Sequence, residues 1–304
     1  MIDQDFVSAL RAEMPELIWQ SDAPMSRYTT LRVGGLADCL AEPGSAKELC
    51  ALLKLAERFG VSVTVIGNGS NLLVRDGGIR GLVIRFGRSF SACETAGETI
   101  TAQSGILLSD LAQSAANAGL AGLEFASGIP GTLGGAVVMN AGAYGGEIAQ
   151  VIESAEVLGG NGIVTLDRGA LELSYRHSRL QDTGELVLAA RFRLTRDDPA
   201  AIRARMADLK NRRLEKQPLN WPSAGSFFKR PAGAYAAQLI DEAGLKGHRI
   251  GGAMVSDKHA GFLINAGGAT AADFLSLMLV VQETVYKKSG FHLEPEVRIL
   301  GEDG

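Results

Sequence analysis

The sequence predicts an α+β fold in two units, the first with more strands than helices. Three observations lead to this prediction. Short β-branched segments end in turns rich in Gly, Asn and Asp, a few stretches carry helix-capping signals, and the pattern changes near residue 196. We therefore expect a first domain over residues 1–195 and a smaller C-terminal domain over residues 196–304. An N-terminal helix is expected before the main unit of the first domain, which begins near residue 25.

The first unit is predicted to combine two clear helices with a series of strands. Ser45 and Glu48 predict a capping box for a helix over 45–60, which Gly60 ends in the left-handed conformation. A second helix, over 109–122, also ends at a glycine. The strands are predicted at 61–66, 81–86, 99–106 and then, as an antiparallel set, at 154–159, 162–166 and 185–194.

The second unit begins with a strong helix signal. Asp198 precedes Pro199 as an N-cap, and Pro218 ends the helix. A proline-containing loop then leads to two more helices and a final strand, expected at 233–247, 270–290 and 293–300. Alternation in the last strand places Glu294, Glu296 and Arg298 on one face, and Pro295 indicates an edge strand.

Composition excludes several classes of function. The net charge of −4 gives no overall attraction to nucleic acid or to an anionic membrane, and no apolar run reaches the roughly 18–20 residues of a membrane span. An odd count of three cysteines is typical of a reducing cytoplasm. None of the four histidines has zinc-motif spacing, so we expect no catalytic metal. The chain is predicted to be a cytoplasmic enzyme that acts on a small molecule.

Two glycine-rich loops predict a phosphate-binding site. The stretch GNGSN begins at Gly67 directly after a strand, and a second glycine-rich stretch runs from Gly128 to Gly146. Leu72 stands where a Rossmann fingerprint needs its third glycine, so a dinucleotide fold of that type is disfavoured. The two loops suggest an elongated diphosphate held between subdomains. A tight turn without ligand, or a buried glycine-rich crossing between sheets, remains the alternative.

Reactive side chains occur in three further motifs. Arg176 in SYRHSRL suits a carboxylate, Ser226 in AGSFFKRP is a candidate proton donor beside two phenylalanines, and Glu296 in LEPEV is a candidate acid–base group. A surface arginine, a loop serine and a solvated strand face are the structural alternatives. Arg212, Arg213 and Lys216 can share one helix face near the Ser226 loop, which favours a phosphate-bearing substrate.

These motifs, in this order, resemble the UDP-N-acetylenolpyruvoylglucosamine reductase family. The matching strings are TTLRVGG, VIGNGSNLL, SGIPGTLGGAVVMNAGAYGGEI, SYRHSRL, GSFFKRP, HAGFLIN and LEPEVRILG, from near residue 25 to residue 301. The resemblance implies an FAD-binding domain of the vanillyl-alcohol-oxidase (PCMH) type, made of two α+β subdomains and followed by an α+β substrate-binding domain. It also implies reduction of the enolpyruvyl ether of UDP-N-acetylglucosamine-enolpyruvate to UDP-N-acetylmuramate for peptidoglycan synthesis, with NADPH as hydride donor to non-covalent FAD.

The family's functional residues transfer by motif. Ser226 would donate the proton, and Arg176 and Glu296 would act at the substrate carboxylate. Lys216, Gly225, Tyr144 and Arg213 would contact the substrate. The predicted FAD contacts are Ile66, Gly67, Asn68, Gly69, Ser70, Asn71, Gly128, Ile129, Gly131, Thr132, Gly135 and Ala136.

The chain departs from the family pattern at two points. Only 31 residues separate Tyr144 from Arg176, so the insertion that carries a substrate-covering tyrosine is absent and the shorter subclass is indicated. Arg230 stands where many relatives have asparagine. A monomer or a weak homodimer is expected. An FAD-dependent sugar or alcohol oxidase of the same fold, and a non-catalytic flavin- or UDP-sugar-binding protein, are the alternative functions.

Overall fold

The computed structural model describes residues 2–304, and its first part is a small sheet with two helices. In chain order these elements are α1 (Gln4–Glu13), β1 (Ile18–Pro24), β2 (Leu36–Glu42), α2 (Ala46–Arg58), β3 (Val63–Ile66), β4 (Leu72–Val74) and β5 (Ile79–Arg85). The sheet has the order β1-β2-β5-β3, with β2 and β3 parallel to β5 and β1 antiparallel at one edge. Apolar residues of α1 and α2 share a core with β2 and β5.

The next part is a five-stranded antiparallel sheet with short helices. Its elements are β6 (Cys93–Ala96), β7 (Thr99–Gln103), α3 (Leu108–Asn117), β8 (Leu120–Ala121), α4 (Leu133–Val138), β9 (Gly142–Ala143), β10 (Gly146–Glu147), α5 (Ile148–Val151), β11 (Ile152–Gly159), β12 (Gly162–Asp167), α6 (Leu180–Thr183), β13 (Leu186–Arg193) and β14 (Thr195–Arg196). The order is β12-β11-β13-β7-β6, and α3 and α4 pack with it around Phe192. The second glycine-rich loop leads into α4, so this sheet supports the loop that the sequence predicts to bind phosphate.

The C-terminal part contains α7 (Pro199–Lys216), α8 (Ala236–Glu242), β15 (Arg249–Ile250), β16 (Ala253–Val255), β17 (Leu263–Asn265), α9 (Ala271–Ser289) and β18 (Arg298–Leu300). Strands β15, β16 and β17 form an antiparallel sheet that shares a core with α8 and α9 around Phe274. Helix α7 instead contacts the first unit: Arg205 binds Glu124, and Arg203 donates to Asn117. The domain boundary near residue 196 stays a prediction, because α7 follows it in sequence but packs on elements that precede it.

The chain returns to its first unit at the C-terminal end. Strand β18 pairs in parallel with β4, which lies directly after the GNGSN loop. The Asp76 carboxylate accepts hydrogen bonds from the backbone N–H groups of Ala271 and Ala272, the first two residues of α9. Asp76 therefore acts as a helix cap supplied from nearly 200 residues away, and it ties the C-terminal core to the β4–β5 region.

Most of the predicted local signals are confirmed. Ser45 accepts a hydrogen bond from the backbone N–H of Glu48, Gly60 is left-handed at φ +63°, and Asp198 caps α7 through the N–H of Ala200. The capping box at α2 differs in one detail, since the Glu48 carboxylate accepts from the N–H of Gly44 rather than from that of Ser45. The predicted antiparallel set corresponds to β11, β12 and β13.

The predicted strand over 293–300 is wrong in its extent. Only Arg298–Leu300 forms a strand, on β4, whereas residues 294–296 lie against the Ser226 loop through hydrogen bonds of Glu294 and Glu296 with Lys229 and Phe227. Pro295 has no N–H to donate, and the segment changes partners after it, so no single ladder spans it. The helices predicted at 109–122 and 233–247 are shorter, ending at Asn117 and Glu242.

Within residues 2–304, no helix has the length and apolar character that a membrane crossing requires.

Replacing Asp76 by alanine should lower the free energy of unfolding by about 1 kcal/mol, because two N–H groups at the start of α9 lose their acceptor. Urea denaturation followed by far-UV circular dichroism measures this. Glu16→Ala, at an exposed turn position outside the helices, is the control and should stay within about 0.5 kcal/mol of the unsubstituted protein. Equal stability of the two variants would show that Asp76 does not contribute as a cap.

Candidate active site

A cavity of about 500 Å³ lies between the first unit and the C-terminal unit. Its volume is within the range typical of cofactor and substrate sites. Both glycine-rich loops line it, and Arg176, Glu296 and Ser226 line it as well. Of the twelve predicted FAD contacts, all except Gly128 belong to the lining. The motifs that the sequence analysis identified separately therefore meet in one place.

The GNGSN loop has a shape that requires glycine at two positions. A Cβ atom on Gly69, which has φ +62°, would overlap the carbonyl oxygen of Tyr28, and one on Gly67 would overlap the hydroxyl of Thr132. Asn68 donates through Nδ2 to the carbonyl oxygen of Pro130 at 2.6 Å. The first loop is thus in direct contact with the second, and the two form a continuous wall.

The second loop offers an open backbone surface toward the cavity. Gly135, in the first turn of α4, lines the cavity, and a Cβ atom there would have no neighbour closer than 4.0 Å. Gly128 is exposed outside the lining, where a Cβ would come within 2.7 Å of Nη1 of Arg213, and its role in cofactor binding stays a prediction. A surface of glycines and small side chains allows a long, flat ligand to lie close to the main chain, so these residues fit the pyrophosphate and ring system of FAD.

Arg176 and Glu296 form an ion pair across the two units. Nε of Arg176 donates to Oε1 of Glu296 at 2.7 Å, and Nη2 donates to the carbonyl oxygen of Gly142 at 3.2 Å. Their side chains are 21% and 14% exposed. Burial raises the pKa of Glu296, and the positive charges of Arg176 and Lys229 oppose this only in part. A proton therefore remains on Glu296 to higher pH than on an ordinary glutamate.

Ser226 lies at the cavity between a left-handed glycine and a buried phenylalanine. Gly225 adopts φ +76°, while Phe227 is fully buried with its ring stacked on Phe274 at 6.3 Å between centroids. The carbonyl oxygen of Phe227 accepts from the backbone N–H of Glu296 at 2.9 Å. Ser226 and Glu296 are therefore adjacent through one backbone hydrogen bond, and the Ser226 hydroxyl is exposed to the cavity.

The predicted substrate contacts separate into two groups. Arg213 and Gly225 line the cavity, whereas Lys216 is exposed outside the lining and Tyr144 is 42% exposed beside the lining residue Ala143. Nε of Arg213 donates to Gln217, and burial lowers the pKa of the guanidinium. Helix α7 is continuous from Arg212 to Lys216, but of the three cations only Arg213 enters the lining, and Arg212 pairs with Asp208. The predicted phosphate-binding cluster stays a prediction. The roles of Lys216 and Tyr144 stay predictions.

Several lining residues were not identified from the sequence. Gln181 and Gln217 carry polar groups at the cavity but belong to no motif of reactive residues, and Arg298 belongs to the LEPEVRILG motif but was given no role. Their nearness to SYRHSRL, to the end of α7 and to LEPEV was the available signal. Arg230 lies outside the lining, with its guanidinium 3.9 Å from the ring centroid of Tyr235 and its backbone N–H donating to the Tyr175 hydroxyl.

Comparison with known proteins gives a consistent result. A family model described as an FAD binding domain matches residues 37–167, and one described as UDP-N-acetylenolpyruvoylglucosamine reductase, C-terminal domain, matches residues 217–300. A UDP-N-acetylenolpyruvoylglucosamine reductase of Agathobacter rectalis is 51% identical, with 99% of this chain and 100% of the relative covered. The same-named protein of Pediococcus pentosaceus is 48% identical over the full length of both chains.

Solved structures agree in fold. The UDP-N-acetylenolpyruvylglucosamine reductase of Thermus caldophilus superposes with a TM-score of 0.81 at 37% identity, covering 94% of this chain and 99% of its own. An alkyldihydroxyacetonephosphate synthase superposes with a TM-score of 0.50 at 20% identity, covering 64% of this chain and 41% of its own. The second likeness concerns the fold alone, and the FAD-binding assignment of the first unit comes from the family model over residues 37–167.

Gly67→Ala should weaken flavin retention by roughly 10-fold, because the added methyl group overlaps Thr132 and forces the two loops apart at a cost of about 1–3 kcal/mol. The measurement is the ratio of bound flavin to protein after dialysis, read from the visible absorbance. Gly160→Ala is the matched control, since a Cβ there meets nothing within 4 Å. Full flavin retention in Gly67→Ala would mean that the contact between the loops does not shape the cofactor site.

Proposed function

The chain belongs to the UDP-N-acetylenolpyruvoylglucosamine reductase family, and we propose that it performs the family's FAD-dependent reduction with Ser226, Arg176 and Glu296 as catalytic residues. The family reduces the enolpyruvyl ether of a UDP-sugar in peptidoglycan synthesis. The observation that carries the assignment of these three residues is their convergence on one cavity with both glycine-rich loops. NADPH as the reductant, and a cytoplasmic location, belong to the same proposal.

FAD, when bound, supplies the hydride that the substrate receives at its vinyl CH₂ carbon. The GNGSN loop and the first turn of α4 would hold this cofactor, because both line the cavity and Gly135 leaves the backbone of that turn uncovered. The protein's remaining task is to place the enolpyruvyl group, to stabilise the charge that develops on it and to deliver one proton.

Arg176 and Glu296 are suited to stabilise that charge. Hydride addition to the CH₂ carbon leaves negative charge on the α-carbon and on its carboxylate. Arg176 presents a guanidinium at the cavity that is already oriented by Glu296 and by the carbonyl oxygen of Gly142, so little reorganisation is needed when the charge appears. The raised pKa of Glu296 allows this group to carry a proton and to donate a hydrogen bond to the developing carboxylate charge.

Ser226 completes the reaction by giving its hydroxyl proton to the α-carbon. The new C–H bond converts the planar enolate-like carbon into the lactyl ether, and the serine recovers a proton from solvent. The buried Phe227 fixes the backbone next to the hydroxyl, and the Phe227–Glu296 hydrogen bond keeps the donor next to the charge-stabilising pair. Arg213, a half-buried cation in the same lining, is placed to bind an anionic part of the substrate.

Ser226→Ala should leave flavin reduction by NADPH within about 2-fold of the unsubstituted enzyme but slow reoxidation by the enolpyruvyl substrate by roughly 100-fold or more, because only the second half-reaction needs the proton. Anaerobic stopped-flow absorbance measures both steps. Ser223→Ala, in the same loop but outside the cavity lining, is the control and should change neither.

Equal loss of both half-reactions in Ser226→Ala would contradict its role as proton donor. An unsubstituted protein whose flavin is reduced by a sugar or an alcohol, is reoxidised by O₂ and does not react with the enolpyruvyl substrate would favour the oxidase. A protein that shows neither step would favour a binding protein.

A further inference from the structure

The turn that carries Arg176 is strained and depends on outside support. Residues Ser174 and His177 pair with each other, and Arg176 between them has φ +56°, which is unfavourable for a residue with a side chain. Such a conformation persists only where the surrounding structure imposes it. The direction in which the guanidinium points is set by this backbone.

Gln181 supplies a large part of that support. Its Nε2 group donates to the carbonyl oxygen of Arg176 itself at 3.0 Å and to the carbonyl oxygen of Val138, the last residue of α4, at 2.9 Å. One amide nitrogen thus uses two donor hydrogens to join the catalytic turn to the helix whose first turn forms the predicted cofactor wall. Gln181 also lines the cavity, although no catalytic role follows from its chemistry.

Two further side chains act on the same turn. Asn140, which is fully buried, donates through Nδ2 to the carbonyl oxygen of Ser174 and accepts from the backbone N–H of Ala149, both at 2.9 Å. The buried hydroxyl of Ser178 donates to the carbonyl oxygen of Val138 at 2.7 Å. Gln181 is the member of this group that bonds to Arg176 directly, so its loss should affect the arginine more than the packing.

We propose that Gln181 is a positioning residue that fixes Arg176 against the end of α4 and so sets the distance between the catalytic guanidinium and the cofactor. This inference rests on the proposed function, because it assigns Gln181 a role in the half-reaction that uses Arg176. Displacement of a catalytic group by about 1 Å can cost roughly 100-fold in rate, so a residue that never touches the substrate can still control turnover.

The test is Gln181→Leu, which keeps the side-chain size but removes both donors, with Gln181→Met as a second variant of different shape. Flavin content and flavin reduction by NADPH should stay within about 2-fold of the unsubstituted enzyme. Reoxidation by the enolpyruvyl substrate should slow by about 10–100-fold. Gln113→Leu, the same substitution on the surface of α3 where the amide donates only to Asn117, is the matched control and should change neither step.

The pH profile of reoxidation separates positioning from a general structural effect. Arg176 lowers the pKa of Glu296, so loosening Arg176 should raise that pKa. The limb of the pH–rate profile that reports Glu296 is identified by its loss in Glu296→Gln, and it should move to higher pH in the Gln181 variants. A purely structural defect would reduce the rate at every pH and leave the limb in place.

Three outcomes would contradict either the role of Gln181 or the proposed function. Unchanged reoxidation in both Gln181 variants would overturn the inference while leaving the proposed function intact. A parallel fall in flavin content and in both half-reactions, without a shift of the limb, would also overturn it. An unsubstituted enzyme that the substrate cannot reoxidise would refute the proposed function itself.

Discussion

The structure depends on the convergence of three segments at Glu296. Its carboxylate accepts from Arg176, its backbone N–H donates to the carbonyl oxygen of Phe227 next to Ser226, and its carbonyl oxygen accepts from Asn71 in the first glycine-rich loop. Each of the three bonds uses a different polar group of one residue. The first glycine-rich loop, the proposed proton donor Ser226 and the proposed charge-stabilising Arg176 are therefore all tied to a single residue of the chain.

This arrangement explains why a carboxylate can be buried at the seam of the two units. Removing a charged pair from water costs free energy that the attraction between the partners recovers only when the geometry is good and the remaining polar groups are satisfied. Arg176 reaches both Glu296 and the carbonyl oxygen of Gly142, so two of its donors are used. A buried ion pair of this kind contributes little to stability but determines how the two units fit together. Burial raises the pKa of Glu296 more than Arg176 and Lys229 lower it, so Glu296 holds its proton to higher pH than an ordinary glutamate.

The parts of the fold and of the candidate site that could be predicted from sequence are those whose conformation is determined by neighbouring residues. The glycines of GNGSN follow from backbone shape, and Asp198 and Ser45 follow from capping chemistry. Long-range relations had no such local signal. Neither Asp76 as a cap for α9 nor Gln181 as a support for Arg176 is visible in a linear pattern, because each bond joins groups that only the tertiary fold brings together. The strand predicted over 293–300 is too long because alternation of polar and apolar residues cannot show that a segment pairs first with the Ser226 loop and then with β4.

The bond between Asn71 and Glu296 has a consequence for how the protein is made. These residues lie 225 positions apart, and β18 pairs with β4 in the same region. During synthesis Asn71 emerges 225 residues before Glu296, so the part of the cavity lining that Glu296 supplies is added long after the first glycine-rich loop. A contact between segments this far apart in sequence must pay the entropy of closing a long loop, so closure of the cavity belongs to the non-local part of folding.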